Sequence, residues 1–291
     1  MIENAAQLTT ILTEALRFAE ARNADRLAWH LRSAHIALGP SDAPRTVTVD
    51  VIAGRVMNGT APVPLTRIEL AVVVALAIHE HGLSRAELAD LLYPDADGDR
   101  SINSVKVAIH RARRRARPEN LVICADGRYR LASHVYVDLP VIERAVQRLR
   151  RAVSLDVRDC ALLDTVRERT STERPQFMRD WGWFEPIERR VCDLRRNACM
   201  MLARDALRRD QLDRAVEIAA AISHRDPLDE EAAEVVIRSF LRLGDRTAAV
   251  LAYRRYAREV QAELRLPPPQ DLLALIDRYP ERPTANGRNR M

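Results

Sequence analysis

The feature that most restricts the fold of this chain is an internal repeat in its C-terminal half. Residues of matching character recur with a shift of about 34 positions. The first copy comprises Asp210, Ala215, Ala219, Ile222 and Pro227, and the second comprises Gly244, Ala249, Tyr253, Tyr256 and Gln261. In each copy a turn residue ends one helix, a small residue lets the next helix pack closely, and two further positions share its buried face. The repeat therefore predicts stacked helix pairs.

This spacing resembles that of tetratricopeptide helix pairs, and only Gln261 departs from it, at a position where proline is preferred. The same spacing occurs more loosely near the N-terminus, where Arg32 and His35 replace apolar residues. Residues 3–20 and 24–38 are therefore predicted to form a helical hairpin. Because an isolated helix pair cannot bury its own apolar face well, this hairpin should dock on another surface.

The segment between these helical parts contains short β-branched runs separated by turn residues. Four runs read as strands: Thr46–Val51, Arg55–Asn58, Leu121–Cys124 and Tyr129–Ala132. The last two flank Asp126-Gly127, a dipeptide typical of two-residue hairpin turns. The residues at 135–137 are a candidate for one more strand.

Three helices are predicted within the same segment. Thr66 with Glu69, and Ser84 with Glu87, have the spacing of capping boxes, which mark helix starts. The predicted helices extend from these caps to about His81 and about Leu92, and a third covers residues 100–117, which precede Pro118.

The third helix carries an unusual charge. Residues 100–117 contain seven cations and no acid, whereas the whole chain has a net charge of only +5. The seven are Arg100, Lys106, Arg111, Arg113, Arg114, Arg115 and Arg117. A block of like charges on a helix repels itself unless a polyanion neutralises it, and this favours nucleic acid as the partner.

The order of strands, three helices and hairpin resembles the OmpR/PhoB-type winged-helix DNA-binding domain. The resemblance is carried by LTRIEL at 65–70, SRAELADLLY at 84–93, VKVAIHRARR at 105–114 and GRYRL at 127–131. Ala112 stands where this family typically has a leucine, which makes a smaller core contact.

The following segment resembles the bacterial transcriptional activator domain of SARP-type regulators. Its markers are VDL at 137–139, WGWFEPIERR at 181–190, DPLDEEA at 226–232 and YRRY at 253–256. The two resemblances imply a mainly α protein, in which a winged helix-turn-helix (α+β) precedes a tetratricopeptide-like all-α domain. The expected divisions are an N-terminal helical hairpin at 1–41, the winged helix at 42–137, the activator domain at 138–281 and a disordered tail at 282–291. Neither a receiver domain nor a nucleotide-binding G-x-x-x-x-G-K-[ST] motif is found, so the mode of control stays open.

The third helix divides into two faces. Ile102, Val105, Ala112 and either Ala108 or Ile109 recur at three- and four-residue spacing and should pack inward. The outward residues are the predicted DNA contacts, because such a helix fits the major groove. Asn103, Val107 and Arg111 are expected to read bases, and Lys106, Arg113 and Arg114 to bind phosphates; Arg100, Ser104 and His110 complete the outward set. The resemblance implies that Arg128, on the wing, reaches a minor groove.

Each of these assignments has a simpler alternative. Arg113–Arg115 could be a solvated helix end whose cations favour the helix dipole. His110 could be an exposed polar residue without a ligand, and Val107 could be partly buried. The aromatic residues Trp181, Trp183 and Phe184 could stack on a ligand, although a packing anchor between helices is favoured.

No motif predicts catalysis. The seven histidines form no H-E-x-x-H motif, and G-x-S-x-G is absent. On a helix, His79 and His81 would point about 200° apart and could not bind one metal ion. The chain is therefore expected to be no enzyme and to use neither a metal nor another cofactor.

The leading hypothesis is a sequence-specific bacterial transcription regulator, most simply an activator. Its expected partners are double-stranded DNA, RNA polymerase and a second subunit on DNA. Four cysteines without a C-x-x-C pair, and the lack of a long apolar run, predict a cytoplasmic protein without membrane contact. The alternative is a protein-interaction adaptor of tetratricopeptide type, whose winged helix is a docking module. The acid-free third helix favours the regulator, because an adaptor does not need it.

Overall fold

The computed structural model describes residues 47–59, 61–96, 98–116, 121–152, 154–171, 178 and 180–279. The predicted N-terminal hairpin and the predicted tail lie outside these residues. The chain forms two compact units. The first comprises the described residues up to Arg148 together with Glu168–Cys192, and the second comprises Leu149–Arg167 together with the described residues from Asp193 onward.

The first unit begins with alternating strands and helices, in the predicted order. In chain order these are β1 (Val47–Asp50), β2 (Arg55–Asn58), β3 (Ala61–Pro62), α1 (Arg67–Ile78), β4 (Leu83–Ser84), α2 (Arg85–Leu92), α3 (Gly98–Ala116), β5 (Val122–Ala125), β6 (Arg128–Leu131), β7 (Tyr136–Val137) and α4 (Asp138–Leu149).

Both predicted capping boxes form. The Thr66 hydroxyl accepts from the backbone N–H of Glu69, whose carboxylate accepts from the Thr66 N–H at 2.8 Å. Ser84 and Glu87 make the same exchange, with distances of 3.2 and 2.6 Å. Each box satisfies two backbone donors that a helix start would otherwise leave without a partner. Helix α1 ends at Ile78, earlier than predicted, because the backbone of the following His79 leaves the helical region.

Helix α1 is the centre of the core of this unit. Every residue from Glu69 to Ala77 is buried, which suits a helix that is covered by other elements on all sides. Helix α3 packs against both α1 and α2, and β6 also contacts α1. The three helices therefore form the compact body from which the hairpin projects.

Two small sheets flank the helices. One has the strand order β3-β2-β1-β7, and the other has the order β4-β6-β5. Strand β7 is the last predicted strand, but it pairs in parallel with β1 and so joins the first sheet instead of the hairpin. In the second sheet, β5 and β6 form the hairpin, or wing, and its turn places Asp126 and Gly127 at φ 53° and 73°. Positive φ at both turn residues is the geometry that matches the twist of a tight hairpin.

The remaining elements are helical and run from one unit into the other along the chain. They are α5 (Val157–Ser171), a short 3-10 helix (Gly182–Phe184), α6 (Glu185–Arg208), α7 (Leu212–Arg225), α8 (Glu230–Leu243), α9 (Arg246–Glu259), a π-helical turn (Val260–Leu264) and α10 (Gln270–Asp277).

The predicted repeat is visible in the second unit. Asp210 and Gly244 both have positive φ, at 62° and 82°, and each precedes the second helix of a pair. The small residues Ala215 and Ala249 are fully buried, and Tyr256 is 6% exposed. Helix α8 packs on both α7 and α9. The predicted mainly α fold, with a winged helix-turn-helix before tetratricopeptide-like helix pairs, is confirmed.

The expected domain boundary after residue 137 does not coincide with the division into units. Residues 138–148 and 168–192 group with the winged helix. None of the helices in the described ranges combines the length and the apolar character that a membrane span requires.

Candidate nucleic-acid interface

Helix α3 presents two distinct faces. Val105, Ala108, Ile109, Ala112 and Ala116 are buried, and this inward face includes both residues that spacing alone left as alternatives. The outward residues predicted to bind DNA are largely exposed: Arg100, Asn103, Ser104, Lys106, Val107, His110, Arg111 and Arg114. Val107 is 47% exposed, so part of its side chain is available on the outward face.

Four cations of the outward face have no partner in the part of the chain that the structure describes. Among the described residues, Arg100, Lys106, Arg111 and Arg114 form no hydrogen bond or ion pair through their side chains. Ser104 on this face donates its hydroxyl to the Arg100 carbonyl at 2.9 Å and also shares a hydrogen bond with the Tyr93 side chain. Four charged groups are therefore free to meet an anionic ligand, at no cost in broken ion pairs.

Two further arginines of the cationic block, Arg113 and Arg115, are already bound. The Nε of Arg113 donates to the carbonyl of Val122 on β5 at 2.6 Å. Arg115 donates to the carbonyl of Pro64 at 2.5 Å and lies 3.4 Å from the buried carboxylate of Glu69. The charge run thus contains two classes of residue, and Arg113, predicted to bind phosphate, is instead attached to the base of the wing.

Arg128 is also bound within the protein. It is the first residue of β6, whereas Asp126 and Gly127 form the tip of the wing. Its guanidinium donates to the carbonyl of Gly82 at 2.9 and 3.2 Å and lies 3.1 Å from the carboxylate of Glu87. The Arg128 side chain therefore points to the start of α2.

Sequence reasoning missed Arg85, the first residue of α2. Its guanidinium donates to the hydroxyl of Tyr129 at 2.9 Å and lies 5.9 Å from the centre of the Tyr129 ring. The hydrogen bond to Tyr129 raises the pKa of Arg85 above its usual value. A cation at a helix N-terminus is disfavoured by the helix dipole. The position of Arg85 directly after the Ser84 cap could therefore have indicated, from the sequence alone, that its side chain is stabilised by a residue outside α2.

A second missed feature is a buried charge cluster in the same unit. One guanidinium nitrogen of Arg169 lies 2.9 Å from the carboxylate of Asp50 and 2.8 Å from that of Asp138. Asp138 also accepts from the backbone N–H groups of Val51 and Leu139 at 2.8 and 2.7 Å. These contacts join the β1–β2 turn, the start of α4 and the end of α5.

The two carboxylates titrate differently. Burial, together with the neighbouring charge of Asp50, raises the pKa of Asp138 to about 7. Burial also opposes ionisation of Asp50, but Arg169 and the hydrogen bond from Asp138 outweigh it and hold the pKa of Asp50 below its usual value. Two close acids beside one cation therefore favour a state with a single proton on Asp138.

The aromatic residues near position 181 pack against each other. The rings of Trp181 and Trp183 stack with centroids 5.3 Å apart, and Phe184 meets Trp183 edge-on at 6.0 Å. Phe184 is 1% exposed, and the Arg67 guanidinium lies 6.0 Å from the Trp181 ring. This geometry supports a packing anchor over a ligand-binding cluster. Within the described ranges, no three His, Cys, Asp or Glu side chains are grouped so that they could hold a metal ion.

The fold and the exposed cationic helix define a class of protein in which a winged helix-turn-helix is joined to stacked helix pairs. Residues 137–278 match the family described as "Bacterial transcriptional activator domain". Residues 137–278 therefore form a segment that is similar to the bacterial transcriptional activator domain, as the motifs at 137–139 and 226–232 predicted.

A solved structure gives an independent comparison of the fold. The structure titled "Mycobacterium tuberculosis EmbR in complex with low affinity phosphopeptide" is similar to this chain, with a TM-score of 0.64 and 16% sequence identity. The match covers 81% of this chain and 65% of that chain. At this identity the likeness concerns the fold alone. No curated protein matches this chain.

Proposed function

We propose that this chain is a sequence-specific DNA-binding regulator of bacterial transcription, which acts as an activator in the cytoplasm. The outward face of α3 is the observation that carries the proposal, because its cations have no partner within the described part of the protein. In this proposal α3 enters the major groove of promoter DNA, as the second helix of a helix-turn-helix does.

The contacts follow from the position of each side chain along α3. Asn103, Val107 and Arg111 lie on the exposed face, where an amide can pair with adenine, a methyl group can meet thymine and a guanidinium can pair with guanine. Lys106 and Arg114 are assigned to phosphates, together with Arg100 at the start of the helix. Arg113 is assigned an indirect role, since its guanidinium is hydrogen-bonded to β5.

The helical domain is assigned to protein contacts. Stacked helix pairs present extended surfaces that bind other proteins. We propose that this domain supports dimerisation on DNA or contacts RNA polymerase. The similarity of residues 137–278 to the bacterial transcriptional activator domain supports this assignment. An adaptor function in protein assembly is the competing hypothesis, and it predicts no specific binding to DNA.

Binding to DNA at different salt concentrations tests the proposal. If about four to six phosphates are neutralised, the logarithm of the affinity should fall with the logarithm of salt concentration, with a slope near −0.9 for each phosphate. Binding should be measured on genomic promoter fragments and on sequences selected from random DNA. Salt-independent binding, or no binding to any fragment, would exclude the DNA-binding function.

A matched pair of double variants controls for net charge. R111A/R114A removes two cations from α3, and R254A/R255A removes two exposed cations from α9. The first should abolish specific binding, and the second should leave it unchanged. Equal losses in both would mean that net charge, and not the face of α3, governs the interaction.

A further inference from the structure

The wing is joined to the body of its unit by a short backbone ladder. Strand β6 pairs with β4 through only two residue pairs, Leu83 with Tyr129 and Ser84 with Arg128. Two-stranded ladders of this length are weak in water. The orientation of the wing therefore needs support from side chains.

One support is Arg128. Its guanidinium binds the Gly82 carbonyl with two nitrogens, at 2.9 and 3.2 Å, and also reaches Glu87 in the first turn of α2. The carboxylate of Glu87 is fixed in turn by the backbone N–H of Ser84 at 2.6 Å. This hydrogen bond is the main reason that the pKa of Glu87 lies below its usual value, and Arg128 lowers it further. Glu87 thus stays charged as a partner for Arg128.

The second support is the contact of Arg85 with Tyr129, which adjoins Arg128 on β6. Adjacent residues on a strand project to opposite faces, so the two arginine contacts hold β6 on both sides. The backbone is also close at this point. A Cβ on Gly82, which has a φ of 72°, would lie 2.5 Å from the Tyr129 carbonyl oxygen. Only glycine allows β6 to approach this closely.

We propose that Arg85 and Arg128 are positioning residues, which clamp the wing to the start of α2 and fix where the wing meets DNA. This inference rests on the proposed DNA-binding function. It changes the role of Arg128 from a groove contact to an internal one. It also assigns a role to Glu87, whose negative charge would repel the phosphates of DNA.

The sign of the effect at Glu87 separates the two roles of Arg128. E87Q is the informative variant. Glutamine can also accept the capping-box hydrogen bond from the Ser84 N–H, so the substitution mainly removes the negative charge of Glu87. If Arg128 binds DNA directly, E87Q removes a repulsive charge and releases Arg128, and affinity should rise. If Arg128 positions the wing, E87Q loosens the clamp, and affinity should fall by about twofold to fivefold.

The experiment uses the full chain and its selected DNA site. Affinity, salt dependence and hydroxyl-radical footprints are measured for the wild type, E87Q, R128A, Y129F and R85A. We expect E87Q, R128A and the two Arg85–Tyr129 variants to lose protection at the same flanking positions, while protection of the major-groove bases is retained. R114A, assigned to a phosphate, is the control that should lower the salt slope by about 0.9. Thermal unfolding of each variant verifies that it is folded.

Two results would overturn the clamp: tighter binding by E87Q together with a salt slope lowered by about 0.9 in R128A, or wild-type footprints in both R128A and Y129F. If the wild type itself fails to bind any DNA, the proposed function fails, and this outcome is distinct from both.

Discussion

Individual side chains on the outward face of α3 have different expected roles in DNA recognition. Arg111 is assigned to a base and Arg114 to a phosphate, although both are exposed arginines on one helix. Replacing Arg111 by alanine should cost roughly 1–3 kcal/mol on the preferred site and relax its sequence preference. Arg114→Ala should weaken all sequences by a similar factor. Equal losses on specific and non-specific DNA in both variants would show that this division of the helix is incorrect.

The buried acids give a prediction at the same scale. The pKa of Asp138 is raised to about 7 in the folded protein, above the value of about 4 expected in the unfolded chain. A raised pKa means that the folded state holds the proton more tightly, so the free energy of unfolding should fall as pH rises from about 4 to about 7. Asp50, whose pKa is lowered, acts in the opposite direction and only under more acidic conditions.

The variant D138N tests this assignment, since an amide resembles the protonated acid in shape and is never charged. The charged neighbours of Asp138 are Asp50 and Arg169, and Tyr136 also faces Arg169. We expect the wild type to lose on the order of 2 kcal/mol between pH 5 and pH 8, and D138N to lose much less. Urea unfolding at both pH values gives the comparison, with the exposed Asp213→Asn as control. Identical pH dependence in wild type and D138N would contradict the assignment.

Among the secondary-structure elements, those set by local chemistry were predictable from the sequence. Both capping boxes, the Asp126-Gly127 turn and the inward face of α3 follow from residues within a few positions of each other. Elements set by distant contacts were not predictable. Strand β7 pairs with β1, which lies about 90 residues earlier in the chain. No local pattern distinguishes that pairing from an extension of the hairpin.

The same distinction explains the candidate site. Which residues of α3 face outward follows from helical periodicity. Whether an outward arginine is free depends on acceptors in other elements, such as the Val122 carbonyl for Arg113 and the Gly82 carbonyl for Arg128. Every residue has a backbone carbonyl, so the sequence does not show which carbonyls accept a hydrogen bond from an arginine. Free and bound arginines therefore cannot be distinguished from the sequence.

The helix repeat leads to a prediction about packing between elements. Ala249 is fully buried in the cluster that joins α8, α9 and α10. A larger side chain there should overpack the cluster, so Ala249→Leu should lower the free energy of unfolding by about 1–3 kcal/mol. Ala220→Leu, on the exposed face of α7, is the control and should have little effect. Urea titration measures both, and a neutral Ala249→Leu would mean that close helix packing does not explain the small residue.

For the molecule as a whole, sequence resemblance predicted the winged helix and the helical domain that follows it. It did not predict which residues after position 137 belong to the same compact unit as the winged helix. Asp138 and Arg169 follow the winged helix in sequence, yet they hold Asp50 within the same unit. Buried ion pairs that lose one partner are costly. A fragment that ends at residue 137 would lack Asp138 and Arg169 and would leave Arg55 as the charged partner of Asp50, whereas residues 42–192 retain all three.

The assembly on DNA can be predicted from this organisation. A single winged helix buries a modest interface, so one subunit should bind weakly. Two recognition helices instead fit repeats spaced by one turn of DNA. We therefore expect two full-length subunits on each operator, with the helical domains supplying part of the contact between them.

The fragment 42–192 should keep the sequence preference of the full chain but lose affinity and cooperativity, because it lacks most of α6 and all of the helices α7 to α10. Light scattering gives the number of subunits on one operator, and footprinting gives the number of half-sites that they protect. The unfolding curve of the fragment first shows whether it is folded. If the full chain protects one half-site as a monomer and the fragment binds as tightly, the helical domain does not join subunits. Its remaining proposed role would then be contact with RNA polymerase, which transcription assays with the same variants would measure.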